Sequence, residues 1–228
     1  MTRIAVFASG GGSILQAMLD TFRPADADAS AEITLVVSNN ADAFALERAG
    51  RCGVPAMVVD HRGRSREAFE TALAAAIEPY RPDLLCLAGF LRILSPSFVA
   101  RYCHRILNTH PALLPAFGGK GMYGERVHQA VLDAGVAVSG CTIHLVDDTP
   151  DGGPIVAQAA VPVLEGDTPE GLAARVQVEE RRLYPEVIRW WANGRIEVHD
   201  RAVVLHPARS VPHPVGEPAA RPANAIPV

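Results

Sequence analysis

The chain has 228 residues, 49% hydrophobic and 20% charged, which is enough to bury a core without metal or disulfide staples and too apolar for wholesale disorder. A net charge of −4 with no basic stripe argues against a nucleic-acid binder, and the longest uncharged apolar run, Leu84–Leu91, is too short to span a bilayer. The start has no signal-peptide pattern, and Cys52, Cys86, Cys103 and Cys141 form no CxxC pair, so reduced thiols and a cytoplasmic location are expected, with neither nucleic acid nor membrane as a partner.

Ile4–Ser9 reads as a buried strand, and Leu15, Met18, Leu19 and Phe22 follow at helical spacing. Residues 24–30 read as a loop, Ile33–Val37 as a second strand, Asp42–Cys52 as a helix stopped by Gly53, and Ala56–Val59 as a third strand. Ser65 caps a helix that carries Phe69, Leu73, Ala76, Ile77 and Tyr80 on one face; Pro82 closes it, and Leu84–Ala88 is a fourth strand. Strands alternating with helices at this spacing predict right-handed βαβ units around a mostly parallel sheet.

The second half has a different rhythm. After Ile106–Asn108 comes a glycine-rich stretch, Pro111–Gly124, then a short helix around Arg126–Asp133. Ser139–Val146 and Ile155–Val163 read as strands joined by a turn-rich loop. Asp167-Thr168-Pro169-Glu170 starts a helix with Leu172, Val176, Leu183, Val187 and Trp190, ending near Asn193-Gly194. Ile196–Leu205 reads as a hairpin. Residues 206–228 hold Pro207, Pro212, Pro214, Pro218, Pro222 and Pro227 and almost no core formers, so they are expected to be a disordered tail beyond a folded 1–205 domain, dispensable on truncation near Leu205.

Three motifs carry candidate chemistry. Ser9-Gly10-Gly11-Gly12-Ser13 lies between a strand and a helix, where free N–H groups suit a phosphate; it is neither a dinucleotide fingerprint nor a Walker A loop, and a plain tight turn explains it equally. Asn108 and His110 are two apart, so on extended backbone they point the same way, and an amide beside an imidazole suits acyl transfer; alone, the pair also reads as a turn residue and a structural histidine. Asp151-Gly152-Gly153-Pro154 on its own is a turn. His128 and His144 have no ligand-spaced partners and read as ordinary polar residues, so no metal is expected.

Taken together and in order, Ser9–Ser13, Leu87–Ser95, Asn108–Pro115, Gly140–His144 and Asp151–Pro154 resemble the folate-dependent formyltransferases over about Ile4–His199. The resemblance implies an α/β, Rossmann-like, mostly parallel sheet with helices on both faces and antiparallel strands in the C-terminal half. It implies a transferase of purine biosynthesis that moves the formyl group of 10-formyltetrahydrofolate, its co-substrate, to the amine of glycinamide ribonucleotide, as a monomer or weak homodimer. By the same resemblance Asn108, His110 and Asp151 are catalytic, with Asn108 and a protonated His110 holding the oxyanion and Asp151 relaying a proton through water. Gly12, Ser13, Ile14 and Glu180 match the ribonucleotide site, while Arg66, Leu91, Arg92, Ile93, Leu94, Asn108 and Asp147 match the folate site, with Asp147–Asp151 closing over the pterin.

Three places depart from the family pattern: Ile14 replaces a commonly polar residue, Phe117–Gly124 is longer and richer in glycine, with Lys120 within it a candidate phosphate contact, and Asp148-Thr149-Pro150 is an unusual approach to Asp151. Relatives that hydrolyse formyl-folate or formylate an aminoacyl-tRNA share the three catalytic residues but typically carry an added domain, for which this length is short. A dinucleotide-binding module would want an acidic residue after the second strand, where Ser38-Asn39-Asn40 stands instead.

Overall fold

The computed structural model describes residues 1–22 and 30–208; all but residue 30 of the loop expected over 24–30, and residues 209–228 of the tail expected over 206–228, lie outside the described residues. The elements are β1 (Thr2–Ala8), α1 (Ser13–Thr21), β2 (Ala31–Ser38), α2 (Phe44–Arg51), β3 (Ala56–Val58), α3 (Arg66–Ile77), β4 (Leu84–Leu87), α4 (Pro96–Arg101), β5 (Ile106–His110), α5 (Glu125–Asp133), β6 (Val138–Leu145), β7 (Ile155–Pro162), α6 (Pro169–Ala192), β8 (Ile196–His199) and β9 (Ala202–Leu205).

The seven-stranded sheet has the order β3-β2-β1-β4-β5-β6-β7. β1 to β5 pair in parallel, and β6 and β7 join antiparallel. This is the mostly parallel α/β sheet, with antiparallel strands in the C-terminal half, that the sequence predicts. β8 and β9 form the terminal hairpin, and its pairing extends to His206, whose N–H donates to Arg195 O at 2.8 Å.

The strands' alternation sorts their side chains between two cores. Ile4, Val6, Cys86, Leu107 and Ile143 face one core with α1, α2 and α6. Ala5, Phe7, Leu85, Leu87 and Ile106 face the other with α3 and α4. Each fully buried Leu or Phe contributes about 1.5–3 kcal/mol by leaving water. Tyr184 of α6 is fully buried and satisfies its hydroxyl on Leu107 O (2.8 Å) and Leu87 O (3.3 Å), which pins α6 to β4 and β5.

Helix starts follow their caps. Ser65 Oγ accepts Ala68 N–H at 3.1 Å and Thr168 Oγ1 accepts Gly171 N–H at 3.2 Å. α4 is an element that the periodicity did not predict; at six residues it is too short to show a face, although Ser95 as cap and Pro96 behind it are the usual start signal. Strand order reverses between β1 and β4. In a doubly wound sheet that switch opens a crevice at the carboxyl ends of the strands, and the Ser9–Ser13 turn, the 88–95 segment and the end of β5 all lie there.

Candidate active site

β5 supplies the centre of the site. Asn108 and His110 share its α3/α4 side, while Thr109 faces α6. Because β5 and β6 are antiparallel in the register Asn108↔His144 and His110↔Thr142, two side chains of β6 stand directly beside the two candidates. Nδ1 of His144 lies 3.0 Å from Leu145 O. A carbonyl only accepts, so the proton is on Nδ1 and Nε2 is left as an acceptor. That Nε2 lies 3.0 Å from Nδ2 of Asn108. Burial pulls the His144 imidazole down, which keeps it neutral and keeps this tautomer. His144, read from sequence as an ordinary polar residue, is therefore the group that orients Asn108. Its motif was visible; the cross-strand register that gives it this role was not.

His110 is almost fully buried. Its Nε2 lies 2.8 Å from Phe117 O, so Nε2–H donates there and Nδ1 is the nitrogen turned to the site. Nδ1 is 3.4 Å from Asp151 Oδ2, and Asp151 Oδ1 is 3.7 Å from His144 Nε2. Phe117 (φ 55°) and Asp151 (φ 54°) both have left-handed backbone, uncommon for side chains with a Cβ. The glycine-rich segment closes onto the aspartate, since Gly119 N–H donates to Asp151 Oδ2 at 2.9 Å. Gly153 allows the turn to approach the sheet, because a Cβ there would sit 1.9 Å from Leu145 O.

Glu180 of α6 is buried and accepts from Thr109 Oγ1 at 2.7 Å. Burial pushes its carboxyl up to about 7, with the Thr109 bond opposing. It thus lies against β5 on the side away from Asn108 and His110. His128 on α5 is also buried, and burial with His110 nearby pulls its imidazole down.

The flanking segments sit around this centre. Gly12, with left-handed backbone (φ 68°), caps α1, and no side chain caps the helix. Ile14 is buried in the core, so only its backbone can face a ligand. Leu91 and Ile93 are exposed, 59% and 55%, while Leu94 is buried. Leu91 N–H donates to Ser9 Oγ at 2.8 Å and Ser95 N–H to Glu70 Oε1 at 2.6 Å. Among the described residues the N–H groups of Arg92, Ile93 and Leu94 have no hydrogen-bond partner. Apolar side chains in water beside open backbone donors make a wall that a flat heterocycle can cover. Asp147 is partly buried and accepts Thr149 N–H at 2.8 Å. Arg66 is exposed in the first turn of α3, and Lys120 is exposed in the 117–124 segment.

Among the described residues no group of three or more His, Cys, Asp or Glu is placed to hold a metal ion, and no helix is long and apolar enough to cross a membrane. A separate cavity of about 400 Å³, lined by His104, Trp191, Ile196 and Glu197 among others, contains none of the candidate residues.

Known proteins resemble this chain over most of its length. The formyl transferase family model matches residues 2–188. The phosphoribosylglycinamide formyltransferase of Escherichia coli (strain K12) is 42% identical over 210 residues, which are 92% of this chain and 96% of that protein. The trifunctional purine biosynthetic protein adenosine-3 of Bos taurus is 42% identical over 197 residues, 86% of this chain, but the chain spans only 19% of that protein's length. Among solved structures, glycinamide ribonucleotide transformylase 1 from Symbiobacterium toebii superposes with a TM-score of 0.83 at 45% identity, covering 91% of this chain and 95% of that one.

Proposed function

This chain belongs to the formyl transferase family, and on that premise we propose that it transfers the formyl group of 10-formyltetrahydrofolate to the amine of glycinamide ribonucleotide, a step of purine biosynthesis. The observation that carries the proposal is the cluster at the end of β5: the Asn108 amide held by His144, and Nδ1 of His110 turned toward Asp151.

The amine is itself the nucleophile, so no serine or cysteine is needed. Its nitrogen forms a bond to the formyl carbon, and the carbonyl oxygen becomes an oxyanion. Asn108 uses one Nδ2 hydrogen on His144 and offers the other to that oxygen. Protonated His110 offers Nδ1–H, since Nε2–H is taken by Phe117 O. Donors fixed before reaction need no reorganisation when charge develops. The attacking nitrogen then loses a proton, the bond from carbon to the folate N10 breaks, and N10 gains a proton. Asp151, through a water, is the relay between the two nitrogens.

The phosphate of the ribonucleotide lies on the backbone N–H groups of Gly12, Ser13 and Ile14, and Glu180 contacts the same substrate. The pterin lies along Leu91, Arg92, Ile93 and Leu94 under the Asp147–Asp151 loop, and Arg66 takes a folate carboxylate. The protein works in the cytoplasm on these two small molecules, without metal, nucleic acid or membrane, as a monomer or weak homodimer.

The test is to supply 10-formyltetrahydrofolate with a ¹³C-labelled formyl carbon. Label appearing in an amide of the ribonucleotide supports the proposal; label appearing only as free formate contradicts it.

A further inference from the structure

The Ser9–Ser13 turn is gripped from behind by α2. Ala45 N–H donates to Gly10 O at 3.0 Å. One turn along, Arg48 donates Nε–H to Gly11 O at 2.8 Å and Nη1–H to Gln16 Oε1 of α1 at 3.0 Å. The guanidinium is 4.9 Å from the centre of the Phe44 ring, which stacks the fork in place. The fit is close: a Cβ on Gly12 would meet Ala45 Cβ at 2.9 Å and Arg48 Cδ at 3.4 Å.

A trans peptide points its C=O and the following N–H in opposite directions. With Gly10 O and Gly11 O drawn toward α2, the N–H groups of Gly11 and Gly12 face away from it, beside the uncapped start of α1. Ile14, buried in the core, brings no polar side chain to that start. The backbone is therefore the ligand there, and its direction sets the affinity for an anion.

We propose that Arg48 is a positioning residue of the anion subsite. It turns the Gly11–Gly12 peptide so that its N–H faces the ribonucleotide phosphate, and it ties that peptide to α1 through Gln16. The inference rests on the proposed function, in which this turn binds the phosphate. A lysine keeps the charge but has no fork to reach Gly11 O and Gln16 Oε1 together.

The test measures both substrates on the full chain for the parent protein, Arg48→Met, Arg48→Lys and Gln16→Met, with inorganic phosphate as a competing probe. Losing one charge-assisted hydrogen bond predicts a rise of about tenfold in KM for the ribonucleotide in Arg48→Met. Inhibition by inorganic phosphate weakens by the same factor, while kcat and the KM for the folate stay as in the parent. Arg48→Lys stays close to Arg48→Met, and Gln16→Met moves the same way by less. An unchanged ribonucleotide KM in Arg48→Met overturns the inference. So does full rescue by lysine, which would make the effect one of charge alone, or an equal rise in both KM values, which would mark general damage. If Arg48→Met does not fold, Gln16→Met decides, and an unchanged ribonucleotide KM there overturns the inference too. A parent protein that does not use the ribonucleotide refutes the proposed function itself, before any variant is compared.

Discussion

Asn108 and His144 are cross-strand neighbours whose side chains meet at their nitrogens, Nδ2 to Nε2, at 3.0 Å. The neutral ring acts as an acceptor only because its Nδ1–H is spent on Leu145 O, so the bond fixes which way the Asn108 amide is turned. Asn108→Ala is expected to lose about 10²–10³ in kcat, as for removal of an oxyanion donor. His144→Ala, which leaves the amide in place but unheld, is expected to lose about tenfold. Because both act through one group, the double variant is expected to be no slower than Asn108→Ala. Steady-state kinetics at saturating substrates checks all three; additive losses would mean His144 acts independently of Asn108.

Asp151 accepts one backbone hydrogen bond and faces Nδ1 of His110 at 3.4 Å. Asn at this position still accepts Gly119 N–H, so Asp151→Asn keeps the closed segment and removes the relay and the charge facing His110. Turnover is expected to fall by about 10²–10⁴ with both KM values nearly unchanged. Near-parent turnover in that variant would remove Asp151 from the proton path.

Much of this was legible in the sequence, and what was not has a common cause. The β1–turn–α1 unit could be read because Ile4–Ala8 and Leu15, Met18, Leu19 and Phe22 carry their periodicities locally. Asn108 and His110 could be paired because residues two apart on a strand share a side. His144 could not be assigned, because its role depends on the register between β5 and β6. The Phe117 carbonyl and the Gly119 N–H were equally hidden, since they act through backbone brought back onto His110 and Asp151 by a turn of unusual length. Ile14 shows the reverse case: its identity raised the question of a polar contact to the phosphate, and its burial in the core answers it.

Glu180 gives the protein a titration to follow. Burial pushes its carboxyl up to about 7 from an ordinary 4.5. Below about pH 4.5 the group is protonated whether folded or not, and its contribution to stability is fully present. As pH rises through 7 the folded protein must give up a proton that it holds more tightly than the unfolded chain does, and that contribution is lost. Glu180→Gln removes this loss. In urea titrations at about pH 8 the variant should be more stable than the parent by roughly 2–3 kcal/mol relative to their difference at about pH 5. A difference that does not change with pH would contradict the assignment.

Gly12 is the position where the turn tolerates least. Its left-handed backbone costs a residue with a Cβ about 1–2 kcal/mol, and that Cβ would press on Ala45 Cβ at 2.9 Å. Gly12→Ala is expected to lower the melting temperature and to raise the ribonucleotide KM more than the folate KM. Thermal unfolding and kinetics together check this; equal effects on both substrates would place the turn outside the ribonucleotide subsite.

The proposed transfer is tested by the folate absorbance change when the purified protein meets 10-formyltetrahydrofolate with and without glycinamide ribonucleotide. The proposed transfer gives a signal that requires the ribonucleotide and saturates with it. No signal with both substrates present, or the same signal without the ribonucleotide, would contradict it.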